Sequence, residues 1–230
     1  MTIKKDGERK WKRMAKKLNS ECWYSEVCRM DNPCDSCIRY TEMKFLMDNS
    51  GLPKIRQKPI SLIPDDVDYD QFVRLSEIKD EIAEFVESGK NLFICGYTGN
   101  GKTSWAIKIL LKYFDQIWAG NGFRVRGMFV HVPTLLLNLK NFDNPLPNSY
   151  KESLNSADLI VWDEIGTNIS DYDYSQLLMY VDSRLLNGKS NIFTSNIVTY
   201  ESLSRAIGNR LASRIDGSDE KIILKGGDRR

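Results

Sequence analysis

Residues 92–105 read LFICGYTGNGKTSW. An apolar run, a glycine-rich turn and the start of an amphipathic stretch follow one another directly. The turn fits G-x-x-x-x-G-K-[ST] with Gly96, Gly101, Lys102 and Thr103. This motif needs a strand before it and a helix after it, and both patterns are present. Gly96, Gly99 and Gly101 let backbone N–H groups crowd around phosphate oxygens without a side chain in the way. The helix beginning near Gly101 adds the positive end of its dipole. Lys102 is placed to reach the outer phosphates of a nucleotide, and the Thr103 hydroxyl to ligate Mg²⁺. Thr98, Asn100 and Ser104 complete the candidate phosphate-contacting set. Kinases, GTPases, transporters, helicases and molecular switches share this turn, so it does not choose among them.

The second acidic element narrows the choice. DLIVWDEIG is an apolar strand ending in Asp163 and Glu164. Asp163 is placed to hold Mg²⁺, directly or through water. Glu164 is then the natural base for the attacking water. A carboxylate directly after the magnesium aspartate suits hydrolysis by a machine-type ATPase. Two acids capping a strand end are the plainer reading, but the phosphate turn about 60 residues earlier favours the catalytic one. A further apolar strand, SNIFTSN, ends in Thr194, Ser195 and Asn196. In additional-strand ATPases a polar tip on the strand between the other two touches the terminal phosphate. Asn196 fits that place best, with Thr194 and Ser195 as alternatives. Arg210 and Arg214 are spaced i, i+4 on a helical stretch. They form either a solvated face or a pair of planar cationic forks suited to phosphate.

From about residue 73 the pattern is regular. LSEIKDEIAEFVESGK places Leu75, Ile78, Ile82, Phe85 and Val86 on one helical face, with Gly89 suited to the helix end. Five short apolar runs, NLFIC, GMFVHV, DLIVW, SNIFTS and KIILK, alternate with helical stretches. That alternation implies a parallel sheet covered on both faces. Trp105, Phe114 and Trp118 follow the turn and read as core. His131, the single histidine, reads as a packed or capping residue. The segment LKNFDNPLPNSYKE offers Lys140, Phe142, Tyr150 and Lys151 either to nucleic acid or to a plain surface loop.

Residues 49–72 hold three prolines and little periodicity, and read as a linker. Residues 1–48 are basic, then cysteine-rich. Eight Lys or Arg stand against Asp6 and Glu8 in residues 1–18, although the net charge of the whole chain is only +2. That terminus is a solvated tail or a phosphate-contacting arm. The spacing of Cys22, Cys28, Cys34 and Cys37 ends in a C-x-x-C pair. Four thiolates close a tetrahedral zinc site; an iron–sulfur cluster and free thiols are the alternatives. Cys95 lies inside an apolar strand and reads as core. No apolar run approaches the roughly 18 residues that span a bilayer, and the basic start lacks the apolar stretch of a signal peptide. A cytoplasmic protein without a membrane partner is expected.

Taken in order, GYTGNGKTS, LIVWDEIG, IFTSN and RLASRI resemble the AAA+ domain of DnaC/DnaI-type helicase loaders, especially the short bacteriophage forms. The resemblance covers residues 73–230. It implies an α/β, P-loop, additional-strand domain with a central parallel sheet and no C-terminal helical lid. A small cysteine-rich, zinc-binding head would precede it. The implied cofactors are ATP, Mg²⁺ and structural Zn²⁺. The implied role is in DNA replication, inside a bacterial cytoplasm. The protein would bind the hexameric replicative helicase through residues 1–48 and place it on single-stranded DNA. Self-association would run through the ATP interface, with Arg214 reaching a neighbouring subunit's ATP and Arg210 as its alternative. The alternative family is the IstB-like AAA+ transposition helper, which acts on duplex DNA. A small-molecule kinase would need an arginine-rich lid, a GTPase an N-K-x-D guanine reader, and an ABC-type ATPase a serine-glycine-glycine signature. The sequence has none of these. A binding protein with a vestigial ATP site is opposed by the intact Lys102, Thr103, Asp163 and Glu164.

Overall fold

The computed structural model describes residues 22, 37–57, 61–141, 143, 145–166 and 169–228. In chain order its regular elements are α1 (Ile38–Asp48), a 3-10 turn (Lys54–Arg56), α2 (Tyr69–Asp80), α3 (Ile82–Glu87), β1 (Asn91–Gly96), α4 (Lys102–Ile117) and β2 (Gly127–His131). Then come α5 (Val132–Leu139), α6 (Asn148–Ser156), β3 (Leu159–Asp163), α7 (Asp171–Leu186) and β4 (Ser190–Ser195). The last are α8 (Tyr200–Ile207), α9 (Asn209–Asp216) and β5 (Glu220–Leu224).

All five apolar runs become strands of one parallel sheet in the order β2-β3-β4-β1-β5. The strand with the polar tip, β4, thus lies between the phosphate-turn strand β1 and the acidic strand β3. Side chains alternate across the sheet with period two, and the core divides accordingly. Leu92, Ile94, Val161, Ile192 and Ile222 face α1 to α4, where Trp105, Leu110 and Phe114 pack on them. Phe93, Met128, Ile160, Trp162 and Phe193 face the layer of α5 to α9. Burial on both faces explains why the strands carry so few polar residues. Trp118 is only partly buried against the first layer, whereas Trp105 and Phe114 lie inside it.

The expected single helix over residues 75–86 is two. Its five apolar residues are all buried as the periodicity predicts, but the helix breaks at Glu81, where φ is −103° and ψ 19°. The Gln116 side chain enters the break. Its amide donates to the Asp80 carbonyl at 2.7 Å, and its oxygen accepts the Ala83 N–H at 2.9 Å. A side chain inserted into the helical ladder redirects the axis.

The packed unit begins earlier than residue 73. Met43, Leu46 and Met47 of α1 and the following Leu52 join the first core layer. Arg39 pairs with Asp115 at 2.7 Å, and the Ser50 carbonyl accepts the Phe129 N–H at 2.6 Å. Residues 38–48, expected within the N-terminal module, and the first residues of the expected linker therefore pack on the sheet domain.

At the amino ends of the strands, Arg184 is fully buried. It donates to the carbonyls of Leu154, Ala157, Asp158 and Ser190 and to Asn191 Oδ1, at 2.7 to 3.4 Å. This one fork joins α6, α7, β3 and β4. No described helix is long and apolar enough to cross a membrane.

Candidate nucleotide-binding site

The phosphate turn sits at the carboxyl end of β1, where ligands bind in open α/β sheets. Gly96, Gly99 and Gly101 all have positive φ, at 146°, 85° and 98°. At Gly96 the need is also steric, because a Cβ there would collide with the Leu224 carbonyl of neighbouring β5. Gly101 ends the turn and α4 starts at Lys102, so the first turn of the helix, whose N–H groups have no partner within the helix, lies at the site.

A cavity of about 530 Å³ opens over the turn, lined by Thr98, Gly99, Gly101, Lys102, Thr103 and Ser104 on one side. Asp163, Glu164, Thr194, Ser195 and Asn196 line the other. Nearly all the residues expected at the nucleotide thus converge on one space. Gly96 and Asn100 are buried behind it. Arg210 and Arg214 are not in the lining; they lie on the outer face of α9, both bound to Asp182 of α7. Arg56, Ser61 and Leu62 complete the wall. Sequence reading placed them in a linker, and no periodicity or motif marks them.

Asp163 is the centre of the polar network. Its Oδ1 accepts from the Thr103 hydroxyl at 2.8 Å and from the Thr194 hydroxyl at 2.7 Å. Burial raises the pKa of its carboxyl group, and the two hydroxyls offset part of that rise. Thr194 also accepts the Glu164 N–H at 3.0 Å, and its carbonyl accepts the Ile165 N–H at 2.8 Å. The strand-tip residue that organises the acids is therefore Thr194. Asn196 lies past the strand end, exposed at the cavity wall.

The Thr103 hydroxyl and the Asp163 carboxylate are hard oxygen donors within hydrogen-bond reach of each other. They suit Mg²⁺, which takes one or two protein oxygens and fills the rest with water and phosphate. Bound there, Mg²⁺ would neutralise charge on the outer phosphates. Lys102 is buried, and burial lowers its pKa, with Asp163 and Glu164 acting in the opposite direction. Its Nζ donates to the carbonyls of Gly96 at 2.8 Å and Tyr97 at 2.7 Å. Glu164 occupies left-handed backbone at φ 62°, which turns its carboxylate out of the strand direction. His131, read from sequence as packed or capping, stands at the N-cap position of α5 and also meets Glu164: Nε2 stands 3.1 Å from Oε2. It makes no side-chain cap on α5.

Of the candidate zinc ligands, Cys22 and Cys37 form no disulfide. Cys28 and Cys34 lie outside the described residues. Among the described residues no His, Cys, Asp and Glu cluster suited to a metal occurs. In the candidate nucleic-acid segment, Lys140 pairs with Asp173 at 2.7 Å and Tyr150 packs against the second core layer. Phe142 lies outside the described residues.

A phosphate turn, a following Asp-Glu pair and a polar tip on the strand between them define an additional-strand ATPase of the AAA+ type. Residues 62–215 match the family of IstB-like ATP binding proteins, and the chain belongs to that family. A search of curated proteins returns no match. Among solved structures, the DnaC helicase loader is 22% identical, with 71% of this chain and 94% of that one covered at a TM-score of 0.61. DnaI is 19% identical, with 78% and 94% covered at 0.59. A putative primosome component from Streptococcus pyogenes serotype M3 is 21% identical, with 81% and 98% covered at 0.58. These likenesses establish a shared fold.

Proposed function

We infer that this ATPase is a loader of the replicative DNA helicase, delivering the hexameric ring onto single-stranded DNA. The observation that carries the reading is the extent of the likeness. The fold accounts for 94% of the DnaC loader, 94% of DnaI and 98% of the primosome component. In this reading Lys102 and the turn hold the phosphates, Thr103 and Asp163 hold Mg²⁺, and Glu164 polarises the attacking water. Asn196 senses the terminal phosphate. Arg214 of an adjoining copy completes the site, with Arg210 as the alternative, so that ATP bridges subunits. The ATP form grips helicase and single-stranded DNA, and hydrolysis releases both. The free energy comes from the different affinities of the two states. The cysteine-rich segment within residues 1–48, closed by zinc on Cys22, Cys28, Cys34 and Cys37, is the helicase-docking piece. The protein acts in the cytoplasm of a phage-infected or prophage-carrying bacterium.

The family match favours a second reading, that of a transposition helper assembling on duplex DNA. One experiment separates the two. The protein is mixed with the host's replicative helicase, with and without ATP, and complex mass is read by size exclusion with light scattering. A defined complex supports the loader. No complex, but ATP-dependent filaments on duplex DNA, supports the transposition helper.

A further inference from the structure

Asp68 is not among the residues lining the nucleotide cavity, yet it is fully buried. It immediately precedes α2, but its side chain does not cap that helix. Oδ1 accepts the Lys225 N–H at 2.7 Å, and Oδ2 accepts the Gly226 N–H at 2.8 Å. Both donors belong to the chain just past β5. One residue earlier, the Leu224 carbonyl accepts from Asn100 Nδ2 at 2.6 Å. Asn100 is fully buried as well, and its Oδ1 accepts from Lys102 Nζ at 3.3 Å.

The segment 224–228 is therefore held from two sides, by Asp68 at its N–H groups and by Asn100 at its first carbonyl. The same segment backs the phosphate turn. The Leu224 carbonyl lies where a Gly96 Cβ would be, and the Asp228 carboxylate lies against Gly99. A phosphate turn works only while its N–H groups converge on one point, and small displacements of such groups cost much of their effect. A buried carboxylate is expensive to desolvate, and here it secures main-chain amides of an end segment.

We propose that Asp68 is a positioning residue of the nucleotide site, clamping residues 224–228 behind the phosphate turn. Through Asn100 the clamp fixes the shape of the turn and the reach of Lys102. This rests on the ATP-binding reading of the cavity.

The test is MgATP affinity of the full-length chain, measured with a fluorescent ATP analogue well below the melting temperature. Asp68→Ala weakens binding about tenfold, the size expected for lost hydrogen bonds to a charged group. Asn100→Ala does the same. The double variant is no weaker than the worse single, because both act on one segment. Asp68→Asn keeps one acceptor and falls between wild type and Asp68→Ala; it carries the same test should the alanine variant not fold. Affinity unchanged in a folded Asp68 variant, with only the melting temperature lowered, would overturn the proposal and leave the cavity reading standing. Full additivity in the double variant would overturn the shared path. A wild-type chain that does not bind MgATP would overturn the cavity reading along with it.

Discussion

The His131 imidazole at the end of β2 stands against the Glu164 carboxylate just past β3, with Nε2 3.1 Å from Oε2. The other ring nitrogen lies 2.7 Å from the Thr134 hydroxyl. A neutral ring satisfies both contacts when Nε2–H donates to Glu164 and Nδ1 accepts from Thr134. One carboxylate oxygen is then engaged and the other is left for water. If Glu164 is the base, as proposed, His131→Ala should lower ATP turnover several-fold while leaving MgATP affinity unchanged, because Glu164 loses its orientation and the phosphate contacts do not. Steady-state kinetics beside equilibrium binding reads the split. Faster turnover would show that His131 restrains the base instead.

Asp163 is the acid whose burial works against it. Its folded-state pKa is raised, so the folded state binds its proton more readily than the unfolded chain does. The resulting loss of stability is present in full above the folded pKa. It fades as pH falls toward the ordinary value. Without nucleotide, Asp163→Asn should therefore be as stable as wild type or more stable by about 1 kcal/mol near neutral pH. The gap should close in acid. The same variant should lose the Mg²⁺-dependent stabilisation by ATP, which is about 2.7 kcal/mol at a hundredfold excess over Kd. Thermal melting across pH, with and without MgATP, measures both.

The motif residues were legible because each sits where a strand ends and the chain must turn. Gly96, Asp163 and Glu164 lie at the carboxyl ends of β1 and β3, Lys102 opens the helix that follows the turn after β1, and runs such as LIVW leave no face for water. What sequence missed depends on distant partners. The break at Glu81 is made by Gln116, which arrives from α4. Thr194, one of the residues weighed for the strand tip, has a second place that sequence did not show: its hydroxyl, still within β4, reaches Asp163. Arg56, Ser61 and Leu62 reach the cavity from a segment with no periodic signal. His131 needed the pairing of β2 with β3, which sets it opposite Asp163 and next to Glu164.

Arg184 was not singled out from the sequence. Burial pushes its guanidinium pKa down to about 9, so it keeps its charge at neutral pH while every hydrogen bond goes to protein oxygens. Arg184→Met removes the fork and leaves those oxygens without it, at a cost of about 3–5 kcal/mol. Arg184→Lys should recover little, since an ammonium group cannot span the same acceptors. Urea unfolding measures the loss. MgATP affinity of the folded fraction should hold, because Arg184 ties the amino ends of β3 and β4 and the nucleotide site lies at the carboxyl ends.

Arg210 and Arg214 share one anchor. Asp182 Oδ2 accepts from Arg210 at 2.7 Å, and Oδ1 accepts Arg214 Nε at 3.1 Å. Both guanidiniums are half exposed or more, so these ion pairs contribute about 0–1 kcal/mol and release easily. Neither arginine lines the cavity of its own chain, so the role proposed for Arg214 requires an adjoining copy and can be tested as such. Arg214→Ala should bind MgATP like wild type and lose at least about tenfold of the assembly-stimulated turnover, and Arg214→Lys should not restore it. Lys102→Ala should bind no nucleotide. Mixing the two inactive variants then decides between a role in trans and a role within the chain. An interface with an intact Lys102 from one copy and an intact Arg214 from the other regains hydrolysis only if the arginine works across it. Full assembly-stimulated turnover by Arg214→Ala alone would remove Arg214 from the role and leave Arg210, held on the other oxygen of Asp182, as the residue to test.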